Sequence, residues 1–362
     1  MRKLFRIIAL TVCISVLLCG CSLWMDGKYS SVKPHRQEDP DANRQVVEVK
    51  NYSELRQELI KLIEGGYQDS MICLIGGTTQ QLEEYMEMAC YYAQEYNAVG
   101  AYAVDEISYQ VGISSAKPAV AITIKYLHGR SEILQIKRAA SMAEAKKLIQ
   151  KSLDDCQESV LIRVNLYQPI DFTWFVEDYV MDNPQSCMEL PQVMVAVYPK
   201  DGTERLIELR FTYQTGAETL RYMQASVKQI FDSAKLYVNT DAGAWDKYSL
   251  LYTFLMERYD YTVESSITPS YSLLWHGVGD SKAFAAVYAA MCRQAGLSCQ
   301  TVTGTRDGET WTWNVILMND VYYHVDLLHC SEEGHFRAKT AQEMTNYQWN
   351  SLDYELHSTV IP

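Results

Sequence analysis

The chain has 362 residues, 45 acidic against 32 basic, a net charge of −13, with 48 % apolar and 21 % charged residues. At about 100 to 200 residues per domain this length accommodates two or three domains with ample cores, and its many aromatic and β-branched residues exclude disorder throughout. One apolar run alone approaches membrane length, at the extreme N-terminus, which excludes a polytopic membrane protein. The acidic balance argues against nucleic acid as a partner, because its binding is driven by Lys and Arg displacing counterions.

Arg2, Lys3 and Arg6 precede an apolar stretch from Ile7 to Leu18, too short to span a bilayer and of the length of a signal-peptide core. Residues 1–20 therefore read as an export signal. Its end, Leu18-Cys19-Gly20-Cys21, resembles the bacterial lipobox, whose closing Cys becomes lipidated and N-terminal after cleavage, and Cys21 is the candidate for that residue. A plain secretory signal and an uncleaved anchor are the alternatives. Cleavage would leave 29 basic against 45 acidic residues, a net charge of −16. Lipid contributes about 0.8 kcal/mol per buried CH₂, and stable anchoring needs more than one chain, which a diacylated Cys supplies. The expected location is extracytoplasmic, on the cell membrane, with the membrane itself as a partner.

Beyond Cys21 stand Cys73, Cys90, Cys156, Cys187, Cys292, Cys299 and Cys330. Their number is odd and their spacing sparse, which excludes a disulfide-stapled mini-domain, and no C-x-x-C pair suggests zinc or redox chemistry. Most read as buried small hydrophobes, with one or two disulfides left open by export. No metal and no cofactor is expected.

Residues 21–45 are polar and aperiodic, and read as a tether. From Val46 the pattern becomes regular. A short strand, Val46 to Val49, leads to a helix with Leu55, Leu59, Leu62 and Ile63 on one face, then a strand Met71 to Ile75. A second helix bears Leu82, Tyr85, Met86, Ala89 and Ala93, followed by strand-like Val99 to Tyr109 and Ala119 to Tyr126. The order β-α-β-α-β-β recurs from about Gln135, with a helix bearing Ala145, Leu148, Ile149 and Leu153, a strand Val160 to Leu166, and a short helix with Phe172, Phe175 and Tyr179. Strands Val193 to Tyr198 and Leu206 to Tyr213 close it. The paired ends Tyr126-Leu127-His128-Gly129 and Tyr213-Gln214-Thr215-Gly216 lie 87 residues apart. Residues 46–130 and 131–217 are therefore read as a tandem duplication, with chance likeness of two ordinary α/β segments as the alternative. Gly76-Gly77 follows a strand and precedes a helix, but the phosphate-loop and dinucleotide patterns are absent, so it reads as a plain turn.

Residues 218–362 hold a linking helix with Leu220, Met223, Val227, Ile230, Phe231 and Ala234, a helix from about Trp245 to Tyr259, and a Tyr-rich loop with Pro269. Next, Phe284, Val287, Tyr288 and Met291 recur at helical spacing, with Asp280 or Ser281 as cap and Gly296 as stop. Trp311 to Leu317 and Val321 to Asp326 read as a hairpin around Asn319-Asp320.

These three separated motifs resemble the transglutaminase-like superfamily, of papain-like fold, which pairs a "G-x-C" helix start ending in "A-G-I" with "H-A-W-N" on a strand and "W-Y-H-V-D" on the next. Alignment on Cys292 to Leu297 puts Ser281 where the family has its nucleophilic Cys, Trp311 where it has its His, and Asp326 at its Asp, with Trp313-Asn314 matching the "W-N". Glu343 to Trp349 resembles the "E-M-x-x-Y-x-W" ending of bacterial members. The likeness covers roughly residues 241–352 and implies an α/β (α+β) chain whose C-terminal domain is papain-like.

The departures from that pattern decide the expected function. In the family a Cys at a helix N-terminus is held as thiolate by the helix dipole and an adjacent imidazolium, which the Asp orients. A Ser281 hydroxyl is far harder to ionise, and Trp311 offers an N–H donor with no acceptor, so it takes no proton. The expectation is a pseudoenzyme with no catalytic residue, in which Asp326 survives as an acceptor, for example for the Trp311 indole. An enzyme using Ser281 with a displaced base, His276 first, is the alternative, and a purely structural spacer with a filled cleft is the third reading. His324 reads as structural, and His329, Cys330 and His335 cluster without a fourth metal ligand. Trp313, Asn314 and His276, with Tyr248, Tyr252, Tyr259, Tyr261 and Tyr271 near them in sequence, are the candidate surface for an envelope peptide or glycan.

Overall fold

The computed structural model describes residues 46–238 and 241–351, so the export signal, Cys21 and the tether lie outside the described residues. The first strand, β1 (Val47–Val49), feeds α1 (Tyr52–Glu64). The Asn51 side chain accepts from the Glu54 N–H, and the Glu54 carboxylate returns to the Lys50 N–H at 2.8 Å, a reciprocal cap that stabilises the helix start by about 1 kcal/mol. Leu55, Leu59, Leu62 and Ile63 form its buried stripe. After β2 (Asp69–Leu74) come α2 (Thr79–Glu95), α3 (Ala98–Ala103), β3 (Val104–Ser114) and β4 (Lys117–Tyr126). The sheet order is β1-β2-β4-β3, with β1 and β2 parallel and the other pairs antiparallel. Helix α1 is the crossover that a parallel pair requires.

One expected strand starts late. Residues Ala98–Ala103 are helical, and the strand begins only at Val104. The Asn97 side chain accepts from the Gly100 N–H at 2.8 Å and caps the turn. A Cβ at Gly100 would lie 2.0 Å from the Ala93 carbonyl, so the chain presses against the end of α2 as only glycine permits. Local capping overrides the apolar run that reads as a strand. Gly76, with φ +74°, makes the turn between β2 and α2.

A short helix, α4 (Arg130–Leu134), leads into the second sheet: β5 (Lys137–Ala139), α5 (Met142–Asp154), β6 (Ser159–Val164), α6 (Phe172–Asp182), β7 (Gln192–Tyr198) and β8 (Arg205–Thr212). Its order, β5-β6-β8-β7, with a parallel first pair and antiparallel remainder, repeats that of the first sheet strand for strand. The two halves interlock. Ile207, Leu209 and Phe211 of β8 enter the core of their own half, whereas Leu206 and Leu161 enter that of the first. Glu64 pairs with both Arg138 and Arg163 across the seam, and Arg163 also reaches Glu204 at 2.8 Å.

The remainder is built on α7 (Ala217–Tyr237) and α8 (Ala244–Met256), a two-residue strand β9 (Asp260–Tyr261), and a single π-helical turn, Ser270–Trp275, inside the segment that reads as a Tyr-rich loop. Then follow β10 (Val278–Gly279), α9 (Ser281–Gln294), β11 (Cys299–Arg306), β12 (Glu309–Met318), β13 (Val321–Val325), α10 (Leu327–Glu333) and β14 (Tyr347–Gln348). The sheet order is β13-β12-β11-β14, antiparallel throughout. Asn319 and Asp320 both have φ near +55°, the geometry of a two-residue hairpin turn. Helix α9 lies buried along this sheet, with Phe284, Val287, Tyr288, Met291 and Cys292 in one core with Cys299, Ile316 and Val325. All seven described cysteines are free and buried. Among the described residues no helix is long and apolar enough to cross a membrane.

Candidate functional site

The start of α9, the strand β12 and the end of β13 converge. Asp280 is the N-cap of α9: one carboxylate oxygen accepts from the Ala283 N–H at 2.9 Å, the other from the Ser266 N–H at 3.1 Å. Ser281 is thus the first helical residue, where the dipole and free N–H groups favour a negative charge. Its Oγ accepts from the Thr312 N–H of β12 at 3.3 Å. No imidazole is hydrogen-bonded to it among the described residues.

Trp311 lies one residue before that contact. Its Nε1–H donates to Asp326 Oδ2 at 2.9 Å. The same oxygen accepts from the Tyr347 hydroxyl at 2.7 Å and from Arg306 Nη1 at 3.3 Å. Asp326 Oδ1 accepts from the Leu328 and His329 N–H groups at 3.1 and 3.2 Å, so the carboxylate also caps α10. With Asp326 only 6 % exposed, five donors replace the water that it has lost. Burial, then the neighbouring carboxylate, pushes the Tyr347 phenol up, which keeps it a donor. The Arg306 guanidinium also lies 5.2 Å from the centre of the Trp311 ring, and Tyr261 packs on that ring at 5.9 Å. Ser281, Phe284, Thr312, Trp313, Asp326 and Leu328 surround a gap with no volume for a water molecule.

Trp313 and Asn314 are not surface groups. β12 is a central strand, so alternate side chains are buried on its two faces. Asn314, fully buried, donates from Nδ2 to the Ala285 carbonyl of α9 at 2.8 Å. Trp313, 1 % exposed, donates its indole N–H to His324 Nδ1 at 3.0 Å and packs edge-on against Tyr347 and Trp349. Both side chains therefore lie in the interior and not on the surface that the sequence suggests for them. Because the indole can only donate, Nδ1 of His324 is the acceptor and its ring proton sits on Nε2. His276 is exposed and sets its ring against Tyr271 at 4.5 Å, so the structure does not place it as a base on Ser281. His329 lies between Glu332 and Glu333, at 3.0 Å from each. Cys330 Sγ donates to the Arg337 carbonyl at 3.2 Å, while His335 Nδ1 lies 3.1 Å from the Glu333 carbonyl. No group of three or more metal-ligating side chains comes together among the described residues.

Two residues of this site carried no sequence signal as members of it. Tyr347 lies within the Glu343–Trp349 ending, but nothing in that pattern ties its hydroxyl to Asp326. Arg306 ends β11, and only the fold brings it over Trp311.

Residues 233–354 match the family model of the transglutaminase-like superfamily, so the chain contains a transglutaminase-like domain there. No curated protein matches the chain. Three solved structures are similar to it. A TGase is 10 % identical, with a TM-score of 0.26, over 55 % of this chain and 56 % of its own. A candidate cysteine protease from Cytophaga hutchinsonii is 9 % identical, with a TM-score of 0.26, over 43 % of this chain and 70 % of its own. A candidate protease from Parabacteroides distasonis is 10 % identical, with a TM-score of 0.23, over 57 % of this chain and 45 % of its own. The chain thus spans about half the length of the first and third.

The buried imidazole gives this domain a pH dependence. Burial pushes His324 down to about 4, whereas in the unfolded chain it titrates near its ordinary 6.5. The unfolded state therefore binds the extra proton first, and stability present above pH 6.5 is lost as pH falls towards 4, by about 3 kcal/mol in all. Urea unfolding at pH 7 and pH 4.5 tests this: the native protein is expected to lose about 2 kcal/mol more than His324→Asn, which keeps an acceptor for Trp313 but does not titrate. Parallel losses in the two proteins would contradict it.

Proposed function

We propose that this is a lipid-anchored cell-envelope protein, held by a lipidated Cys21, whose transglutaminase-like domain has lost acyl transfer and serves binding or scaffolding. One observation carries the non-catalytic reading: Trp311, the residue that the sequence alignment sets at the family's base, spends its N–H on Asp326 at 2.9 Å. Acyl transfer needs a nucleophile that is ionised or deprotonated during attack, and a group that later protonates the leaving amine. A seryl hydroxyl at a helix start gains some anion stabilisation, but its proton still needs an acceptor, and a neutral indole has none. Losing nucleophile and base together removes several orders of magnitude in rate. The third member of the constellation is also committed, because both oxygens of Asp326 already hold donors. The filled gap beside Ser281 further supports a scaffolding domain, since it has no room for a reacting carbonyl. A ligand, whether peptide or glycan, would then have to bind elsewhere on the chain.

The two halves preceding this domain, with their identical strand orders, are read as products of a tandem duplication that displays a surface above the membrane. The anchoring itself rests on the Leu18-Cys19-Gly20-Cys21 end of the export signal.

Incorporation of a primary amine into a glutamine peptide, and hydrolysis of that peptide, test the non-catalytic reading. The protein is expected to be indistinguishable from Ser281→Ala in both; a rate above background that Ser281→Ala abolishes would overturn it. Anchoring is tested separately by fractionation. Cys21→Ser is expected to leave the protein unlipidated and its signal uncleaved at that position, and unchanged processing would refute the assignment.

A further inference from the structure

A cavity of about 750 Å³ lies away from Ser281, between the second α/β half and the start of α7. A second, of about 370 Å³, shares Cys156, Glu158, Arg210 and Ala217 with it and continues along residues 211–216. The floor is part of one face of the second sheet. Strand alternation puts Leu206, Glu208, Arg210 and Thr212 of β8 on that face. Leu206 is sealed in the core of the first half, but Glu208 and Arg210 border the cavity. The register sets Ser159 and Met194 beside Arg210, and Leu161 and Ala196 beside Glu208. Met194 is 63 % exposed. Half of this sheet face is thus covered by a neighbour and half is left open.

The charges bordering the cavity are unequally engaged. Glu208, 7 % exposed, holds Arg210 through Nε at 2.7 Å and Nη2 at 2.6 Å. Glu132 accepts from the Tyr102 hydroxyl at 2.6 Å and lies 3.1 Å from His128. Two of the three carboxylates therefore already have donors, leaving Glu158. Lys137 and Arg221 have no ion pair among the described residues. An ammonium and a guanidinium together bring eight N–H donors, and the Gln135 and Gln157 amides add more, so the unsatisfied capacity is rich in donors. The lining balances three carboxylates against three cations, but two of its cations and only one of its carboxylates are unengaged, and these free donors call for an acceptor-rich ligand. The volume falls in the range of sites for ligands larger than a simple anion. No Trp or Tyr borders the larger cavity, so it offers no ring on which the apolar face of a sugar could stack.

We propose that this cavity binds a short acidic peptide, with Arg221 and Lys137 taking its carboxylates and the glutamine amides its backbone. The proposal rests on the reading that the protein binds and does not transfer, and it places binding outside the transglutaminase-like domain. Calorimetric titration of the full chain in detergent tests it, with tri-glutamate as ligand and tri-glutamine and inorganic phosphate as comparisons. Tri-glutamate is expected to bind at least tenfold more tightly than either, less so as salt is raised. Arg221→Glu combined with Lys137→Gln is expected to weaken it tenfold or more without lowering the melting temperature. Met194→Glu, which sets a carboxylate beside Arg210 at an exposed position, is expected to weaken it too. Ser281→Ala is expected to bind as the native protein does. Equal affinity for tri-glutamine or phosphate, or undiminished binding in both cavity variants, would overturn the proposal. Amine transfer dependent on Ser281 would overturn the non-catalytic reading alone and leave the binding result standing.

Discussion

A carboxylate taken out of water must find its hydrogen bonds inside the protein, and Asp326 meets that demand in a way that fixes everything around it. Its two oxygens collect five donors from three directions: the backbone of α10, the indole of β12, and the Tyr347 and Arg306 side chains. An unpaired buried charge costs several kcal/mol, about 3 to 5 where one partner of a buried pair is removed, so each donor is held where the acid needs it. Trp311 is thereby held against Asp326, Arg306 lies over its ring, and the gap beside Ser281 closes.

The same constraint holds the start of α9, the central strand β12 and the end of β13 together. On the proposed reading, an alcohol and an indole stand where the family has a thiolate and an imidazole, which removes the proton acceptor while the acid still finds an N–H to bind. The scaffold is preserved because Asp326 caps α10 and Asn314 ties β12 to α9, and neither role depends on catalysis. The open, polar part of the molecule lies instead on the second sheet, where β8 turns Leu206 into the neighbouring core and leaves Arg210 uncovered.

Much of this was legible in the sequence where local rules decide. The spacing of Phe284, Val287, Tyr288 and Met291, with Asp280 before and Gly296 after, outlines α9, and Asn319-Asp320 marks its hairpin because both residues tolerate positive φ. The element order of both α/β halves follows the sequence reading except at Ala98–Ala103, where a cap and one close backbone approach favour a helix, and at Arg130–Leu134 and Lys137–Ala139, a short helix and an edge strand that the reading did not name. Less legible was whatever depends on the third dimension. Trp313 and Asn314 read as binding candidates because a strand's two faces cannot be told apart in burial until its neighbours are known. Arg306 and Tyr347 come to Asp326 through the pairing of β11 with β14, between segments some 40 residues apart. Glu132 and Arg221, bordering the cavity, come from α4 and α7, which only the packing around the second sheet brings together.

The central claim is that the indole of Trp311 is bound to the carboxylate of Asp326 and blocks the base's position. The most direct measurement is the indole N–H resonance of Trp311 by NMR with ¹⁵N-labelled tryptophan, in the native protein and in Asp326→Asn. The account expects a downfield, slowly exchanging resonance in the native protein that moves upfield and exchanges faster in the variant, while the other indoles stay put. A Trp311 N–H that exchanges freely in the native protein, indifferent to Asp326→Asn, would contradict it.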